Sequence, residues 1–398
     1  FLSGAGDGTL AFTYDGEIYT MRPGSQPSKV DISLSADFYQ PVKRIPVSSA
    51  QGGVPSPDGK QIAFINRGDV FVTSVEFPTT RQITKTVEGE SQINWQPDGK
   101  AIVYTSERDG HWNIYKATVG HDGDPDFANA TIITEDALFP ASDGVERTCP
   151  SYSPDGSKLA FVADRNKLMV MDVASGNVKQ ITDGHTHTSR GGSISYSWSP
   201  DSRWIVMDGI LHHHDPYSDI ILVNATDGTL IPLTETGYFD ESPKFVLDGN
   251  AVMFGSDRYG MRAHASWGSE QDVMIVFLNS DAYDKFRLSE QDYALRTELE
   301  KENAKKSAEK DNGKKEEKDK KNEDKVKEIV VEPDGIQDRI IRLTPNSSNL
   351  GDAIITADGA SLFYLSAFEG GYDLWKKDLR KGDVKLVSKN VGGGSLVS

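Results

Sequence analysis

The sequence from Ser151 to Phe161, SYSPDGSKLAF, recurs along the chain and is the basis of the fold prediction. Pro154 fixes φ at the first corner of a turn, Asp155 can bond its own backbone, and Gly156 accepts the positive φ that other residues avoid. The alternating apolar run that follows the turn is typical of a β-strand. Each copy is therefore predicted to form a β-hairpin, which is not stable by itself.

Seven copies of this turn are spread over the chain. The aspartates that mark them are Asp7, Asp58, Asp98, Asp155, Asp201, Asp248 and Asp358. Successive copies lie 40 to 57 residues apart, except for a last gap of 110 residues. A repeat length of about 40 to 50 residues with several strands per unit is the signature of a β-propeller.

Each unit carries two more strand patterns after the hairpin. A third strand is visible as DVFVT from Asp69 or KLMVM from Lys167, and a last strand ends in threonine, as in RQIT to Thr84 or KQIT to Thr182. Four antiparallel strands in each of seven units predict an all-β fold, a seven-bladed β-propeller. We expect residues 1–398 to form this propeller as a single domain.

The composition excludes several classes of partner. The formal net charge is -17 and the isoelectric point is about 4.9, which argues against nucleic acid or an anionic membrane as partner. Cys149 is the only cysteine, so no disulfide framework or thiolate metal cluster is expected. No apolar run approaches the ~20 residues that cross a bilayer. We expect no cofactor and no metal.

The two ends of the chain carry different strand patterns. The first repeat has no strand pattern before its turn, whereas Lys389 to Ser398 resembles such a leading strand. We therefore expect the C-terminal segment to complete the first blade, the alternative being that the chain was cut before another repeat. The chain starts at Phe1 without an initiator methionine or signal peptide, which is typical of a mature form or an excised fragment.

The long gap before the last turn contains an insertion, residues 290–338, within blade six. From Glu298 to Glu328 it has eleven basic and eleven acidic residues and almost no apolar ones. Such a stretch cannot bury enough surface to fold against a core. It is expected to be disordered or a solvated helix with Glu–Lys pairs.

The usual catalytic and calcium-binding motifs are absent or incomplete. The sequence has no G-x-S-x-G, no G-x-x-x-x-G-K-[ST] and no H-E-x-x-H motif. Asp122, Asp124 and Asp126 alternate as calcium ligands would, but the segment lacks the glycine and the late glutamate of an EF-hand loop. An acidic hairpin tip is the preferred interpretation.

Histidines and arginines in the connections between strands are the candidate functional residues. The proposed topology puts one set of connections on a single face, and this set contains His185, His187, Arg190, His212, His213, His214, Arg258 and Arg262. Converging imidazoles can hold a transition metal, and guanidinium groups can bind a carboxylate. A polar loop patch without function is the plain alternative. We favour a surface that faces peptide substrate.

The repeats resemble the PD40/TolB type of WD40-like propeller repeat. Ile65 to Thr84 (INRGDVFVTSVEFPTTRQIT) and Ile329 to Thr344 (IVVEPDGIQDRIIRLT) are similar to the N-terminal propeller region of tricorn-like peptidases, serine peptidases of class S41. The resemblance covers nearly the whole chain, although the first propeller of that family has six blades rather than seven. It implies a role in proteolysis, a PDZ domain and a catalytic domain elsewhere in the parent chain, and a cytoplasmic protein, with the periplasm as alternative.

Three functions remain open from the sequence. The first is a non-catalytic propeller that gates or routes peptides or unfolded polypeptide towards a catalytic domain outside this chain, within a possible homo-oligomer. The second is a TolB-like module that binds a protein partner. The third is a metal-dependent lyase on a propeller scaffold, with the histidines as ligands. We expect no catalytic residue in this chain.

Overall fold

A computed structural model describes residues 2–33, 50–186, 194–212, 215–262, 268–311, 326–368 and 370–396. For residues 304–311 it describes the backbone alone. The chain divides into two compact units, Phe1–Ser151 and Tyr152–Ser398.

Three four-stranded antiparallel sheets lie in the first unit, and in each the strands follow one another in chain order. Their strands are β1 (Leu2–Gly4), β2 (Leu10–Tyr14), β3 (Glu17–Met21) and β4 (Ser28–Lys29) in blade one; β5 (Gln51–Pro55), β6 (Gln61–Asn66), β7 (Asp69–Ser74) and β8 (Thr80–Gln82) in blade two; and β9 (Glu90–Trp95), β10 (Ala101–Ser106), β11 (Asn113–Val119) and β12 (Ile133–Ala137) in blade three.

Four more sheets of the same order follow along the chain. Their strands are β13 (Arg147–Tyr152), β14 (Lys158–Ala163), β15 (Lys167–Asp172) and β16 (Val178–Gln180) in blade four; β17 (Tyr196–Trp198), β18 (Trp204–Gly209), β19 (Asp219–Asn224) and β20 (Leu230–Pro232) in blade five; β21 (Asp240–Val246), β22 (Ala251–Ser256), β23 (Asp272–Phe277) and β24 (Ile340–Arg342) in blade six; and β25 (Asn349–Ile355), β26 (Ser361–Ala367), β27 (Asp373–Asp378) and β28 (Val384–Ser388) in blade seven. The predicted all-β, seven-bladed propeller is confirmed.

The repeated turn has the hydrogen bonds that its sequence predicts. In the copy after β13, Asp155 accepts from the Ser157 backbone N–H at 3.0 Å and from the Ser153 hydroxyl at 2.6 Å. Gly156 has φ 71°, the left-handed region that glycine adopts at little cost. The strand that leaves the turn carries Phe161, which is buried. The hydrogen bonds of the turn and the burial of Phe161 therefore both favour the hairpin at this repeat.

A threonine at the end of the outer strand ties four of the blades together. The threonine hydroxyl accepts a hydrogen bond from the backbone N–H of the second residue of the third strand. The donor–acceptor distances are 2.9 to 3.2 Å in the pairs Val70–Thr84, Leu168–Thr182, Ile220–Thr234 and Val273–Thr344. All four threonines are buried. A buried backbone N–H needs such a partner, which explains why the motif recurs.

The expectation that the C-terminal segment completes blade one is wrong. Blade one has its own first strand, β1, which is too short and too poor in apolar residues to show as a strand pattern. The described C-terminal residues bond instead to blade seven: Asn390 N–H donates to Asp373, and Leu396 N–H donates to Asp352.

The connection between β23 and β24 contains the helices α1 (Ser280–Phe286) and α2 (Glu290–Asp311), and α2 lies at the start of the predicted insertion. The side chain of Asn279 caps α1 by accepting from Ala282 N–H at 2.9 Å. The start of α2 is held against blade seven, where the Arg380 guanidinium lies 3.4 Å from the centroid of the Tyr293 ring. None of the helices in the described ranges is long and apolar enough to cross a membrane.

The acidic segment after β11 belongs to the core of the first unit. Phe127 is fully buried and packs edge-on against Trp95, with ring centroids 5.5 Å apart. Asp124 accepts from the backbone N–H of Thr131 at 2.6 Å and from its hydroxyl at 2.8 Å. The carboxylate is therefore used to close the loop, which supports the hairpin interpretation over a calcium loop.

Candidate functional site

Two of the predicted histidines lie at neighbouring connections. The backbone N–H of Ile210 donates to the carbonyl oxygen of Thr186 at 2.7 Å, so the connection before β17 and the one after β18 meet at this point. His185 and His212 flank the bonded pair, and both are exposed. The other predicted members of this group, His187, Arg190, His213 and His214, lie outside the described residues.

His212 pairs with an acid. Its Nε2 lies 2.9 Å from Oε1 of Glu235, and 62% of its side chain is exposed. Gln337 donates to the other oxygen of Glu235 at 2.9 Å. Across the part of the chain that the structure describes, no group of three or more His, Cys, Asp or Glu side chains could hold a metal ion.

Arg262 lies over two tyrosine rings in the connection between β22 and β23. Its guanidinium carbon is 5.5 Å from the Tyr217 centroid and 5.3 Å from that of Tyr238. Its Nε lies 3.3 Å from Oδ2 of Asp257, a side chain that is 1% exposed. The buried carboxylate of Asp257 therefore balances the positive charge that Arg262 would contribute to the predicted substrate-facing surface. Tyr217 comes from blade five, so the connections of blades five and six meet here.

Sequence reasoning missed Arg342, a third arginine of this region. Its Nη2 is 2.8 Å from the buried Asp272, and its guanidinium lies 4.9 Å from the centroid of the Tyr259 ring. The pattern of an aspartate at the start of the third strand was visible in the sequence. The sequence does not link Asp272 to Arg342, because these two residues are 70 positions apart and meet only through strand pairing.

Arg258 differs from its counterpart in blade three. In both blades the second strand ends in a serine, and the arginine is the second residue after it, in the sequences SERDG and SDRYG. Arg108 has three polar contacts: its Nε donates to Ser106 at 3.0 Å, and its Nη2 donates to Glu90 at 3.2 Å and to Glu135 at 3.0 Å. It also lies 4.2 Å from the centroid of the Tyr115 ring.

The Arg258 side chain has none of these polar partners. Its Nε is buried without a hydrogen-bond partner among the described residues, and its guanidinium lies 5.8 Å from the centroid of the Tyr238 ring. Blade six has the shorter Asp240 where blade three has Glu90, and Met274 where blade three has Tyr115. The cage that holds Arg108 is therefore missing around Arg258.

A cavity of about 310 Å³ opens beside Arg262. We call it the blade-six cavity, and its lining consists of Phe239, Glu241, Asp257, Arg262, Gly268, Ser269, Gln271, Asn349 and Leu350. A smaller cleft along the inner strands of blades six and seven shares Glu241, Gln271 and Leu350 with it. Amide, aromatic and charged groups in one concave surface are suited to binding a polar chain such as a peptide.

Three acids of blades five and six are shifted towards the protonated form. Burial raises the pKa of Asp219 to about 6, and the neighbouring Asp240 acts in the same direction. Burial also raises the pKa of Asp240 and that of Glu241. Perturbed acids in a cleft are typical of binding or catalytic sites, although buried structural networks perturb them as well.

Comparison with known proteins bears on the class of protein. Tricorn protease homolog 1 of Streptomyces coelicolor is 25% identical over 265 residues, which are 64% of this chain and 23% of that protein. The uncharacterized peptidase YuxL of Bacillus subtilis is 30% identical over 168 residues, 41% of this chain and 22% of that protein. No protein-family model matches the chain.

The crystal structure of the tricorn protease is similar in fold. It superposes with a TM-score of 0.60 over 96% of this chain and 34% of that structure, at 14% identity. The fold and these relatives define a seven-bladed β-propeller domain related to peptidases. The predicted resemblance to the propeller of tricorn-like peptidases is confirmed. The chain spans less than a quarter of the length of the tricorn and YuxL relatives it matches.

Proposed function

We propose that this propeller is a non-catalytic region that binds extended peptides and routes them to a peptidase domain elsewhere in the parent protein. The observation that carries the proposal is the Nε of Arg258, which is buried without a hydrogen-bond partner among the described residues. Arg258 directly follows Asp257, a residue that lines the blade-six cavity. Relatives named as a peptidase or as tricorn protease homologues favour a peptide as the ligand.

The physical argument starts from the buried Nε of Arg258. A buried donor without a partner costs about 1–3 kcal/mol, which a ligand that accepts a hydrogen bond would restore. A peptide supplies such acceptors as backbone carbonyls and carboxylates, and a carboxylate can bind a guanidinium through two bonds. The tyrosine rings of Tyr217 and Tyr238 provide flat apolar surface next to the charge.

The proposal also includes the domains and the oligomeric state of the parent protein. The resemblance implies PDZ and catalytic domains in the parent chain, a possible homo-oligomer and a cytoplasmic location. Peptides or unfolded polypeptide would meet the propeller before they reach the catalytic domain.

Peptide binding to the isolated chain tests the proposal. Fluorescence anisotropy with labelled unstructured peptides should give saturable binding, and Arg258→Ala should weaken it about tenfold, equivalent to about 1.4 kcal/mol. Arg203→Ala is the matched control, because Arg203 is exposed and pairs with Glu328 in the segment that follows the insertion. Added salt should weaken binding to the wild type, since the group is partly exposed.

The contrary outcomes are specific. Equal affinities for the wild type and Arg258→Ala, with unchanged melting temperatures, would remove Arg258 from the site. Absence of binding for every peptide, combined with capture of a folded partner protein, would favour the TolB-like module instead.

A further inference from the structure

The blade-six cavity has one charge that its own residues do not balance. Asp257 is committed: it accepts from the Phe239 backbone N–H at 2.9 Å and from the Ser269 hydroxyl at 3.0 Å, and it pairs with Arg262. The Asp257–Arg262 pair is neutral as a whole. Glu241 forms no ion pair within the described ranges, so it is the one acid of the lining without a counter-charge.

The cationic group nearest in the adjoining cleft is already used. Lys244, three residues beyond Glu241 on the same strand, lies 2.6 Å from Oδ1 of Asp352. Asp352 also accepts from the Leu396 N–H at 2.8 Å through its other oxygen. The ammonium group of Lys244 is therefore paired with an acid of blade seven and does not neutralise Glu241.

A β-bulge in the inner strand sets the position of Glu241. The register of β21 against β22 shifts between Glu241 and Lys244, and Ser242 between them has φ 54°. Bulges are known to re-aim a side chain at the edge of a sheet. Glu241 pairs with Gly255, and Oε1 of Gln271 lies 3.5 Å from the position that a Cβ on Gly255 would take. An amide and a carboxylate are thus side by side in the cavity wall.

The surroundings of Glu241 disfavour an unpaired carboxylate. Burial raises its pKa, the negative charges of Asp257 and Asp240 act in the same direction, and the Gln271 side chain acts against them. A cation in the cavity would reverse this, because an opposite charge within about 4–6 Å favours the ionised form.

We propose that the blade-six cavity binds a primary ammonium group of a peptide, with Glu241 as its counter-charge and the amides of Gln271 and Asn349 as further hydrogen-bonding groups. This inference rests on the proposed peptide-binding function and names the chemistry that the site selects. The volume of about 310 Å³ is far larger than a bare ion needs, and Phe239 and Leu350 provide apolar walls for the methylene groups that carry an ammonium. The ammonium comes from the peptide N-terminus or from a lysine side chain.

Three peptides of equal length separate these sources, each labelled at its C-terminus. One has a free N-terminus and no lysine, one is acetylated with a single lysine, and one is acetylated without lysine. We expect at least one ammonium peptide to bind about tenfold more tightly than the neutral peptide, which corresponds to about 1.4 kcal/mol. Preference for the free N-terminus alone assigns the α-ammonium, and preference for the lysine peptide alone assigns the side chain.

The variant Glu241→Gln keeps the shape of the side chain and removes its charge. It should abolish the preference and leave the affinity for the neutral peptide unchanged. Glu298→Gln changes the net charge equally at an exposed position of α2 and should retain the preference. In the wild type, the preference should also fall as the pH is lowered from neutral, because burial raises the pKa of Glu241 and its carboxylate takes up a proton.

The failure of this inference differs from failure of the proposed function. Equal binding of all three peptides, or a preference that survives Glu241→Gln, overturns the ammonium site and leaves peptide binding in place. Absence of binding for all three peptides contradicts the proposed function instead. Ligand-observed NMR with benzylammonium against benzyl alcohol then decides the ammonium site: binding of the ammonium that Glu241→Gln removes supports it, and equal signals in both proteins overturn it.

Discussion

Arg339 donates its Nε–H to the carbonyl oxygen of Phe277 at 3.1 Å, and this bond joins the segment after the insertion to the end of the third strand of blade six. The same guanidinium donates to the carbonyl oxygens of Asp334, at 3.1 Å, and of Glu332. Gly335, with φ 66°, allows the tight turn between them. The DGIQDR stretch that carries the family resemblance is therefore an anchor for the return of the insertion.

Replacement of Arg339 tests this anchor. Arg339→Ala removes this donor from the Phe277 carbonyl oxygen and from the more exposed carbonyl oxygens of Glu332 and Asp334, and it should lower the free energy of unfolding by about 3 kcal/mol. Urea denaturation measures the loss. Arg287→Ala is the control, because Arg287 is exposed and contacts only the Tyr283 ring in the described residues. A loss below about 1 kcal/mol for Arg339→Ala would mean that the return segment is held by apolar packing instead.

Phe161 tests the assignment of the repeated strand to the core. Its side chain is 1% exposed, and truncation to alanine should cost about 3–5 kcal/mol because a cavity remains. Phe77, which is 59% exposed, offers a matched control in which Phe→Ala should cost far less. Similar losses at both positions, measured by thermal or urea unfolding, would contradict the blade assignment.

The threonine at the end of the outer strand makes a separate prediction. Thr182→Val preserves the shape but leaves the buried Leu168 N–H without its acceptor, so the free energy of unfolding should fall by about 1–3 kcal/mol. Thr226→Val, at an exposed turn position, should be nearly neutral. Equal stability of both variants in urea would show that the repeated threonine is not a structural lock.

The blade count was predictable from the sequence because its determinants are local. A Pro-Asp-Gly turn and the alternating strand after it are encoded within eleven residues, and the threonine motif recurs in several units. The first strand of blade one was missed because three residues, Leu2–Gly4, give no periodicity to detect.

The charge balance of the candidate site was not predictable in the same way. The sequence predicts that Arg258 and Arg262 belong to a surface that faces peptide substrate. The structure sets Arg262 on Asp257 and on Tyr217, and the tyrosine is 45 positions away in the chain. Glu241 enters the cavity through a bulge that depends on strand register. Local patterns cannot specify either relationship.

The buried Asp219 should make stability depend on pH in an identifiable window. Its folded-state pKa of about 6 exceeds the ordinary value of 3.8, because burial and the nearby Asp240 disfavour the ionised form. The folded state therefore holds a proton more tightly than the unfolded state, and stability falls as pH rises from about 3.8 to about 6. Above about pH 6 the buried carboxylate of Asp219 is ionised, and the free energy of unfolding is lowered by the full cost of burying its charge.

Asp219→Asn removes the charge and keeps an oxygen that can accept from the Thr236 N–H, which lies 2.7 Å from Oδ1 in the wild type. The variant should be more stable than the wild type in urea at about pH 7, and this gain should disappear near pH 3.8, where the wild-type carboxyl is protonated in the folded state. Asp227→Asn should behave in the opposite sense. A hydrogen bond from the Thr229 backbone lowers the pKa of Asp227, so its ionised form favours folding, and removal of its charge should destabilise at neutral pH. A loss of stability at neutral pH in both variants would mean that Asp219 is ionised and well paired in the folded protein.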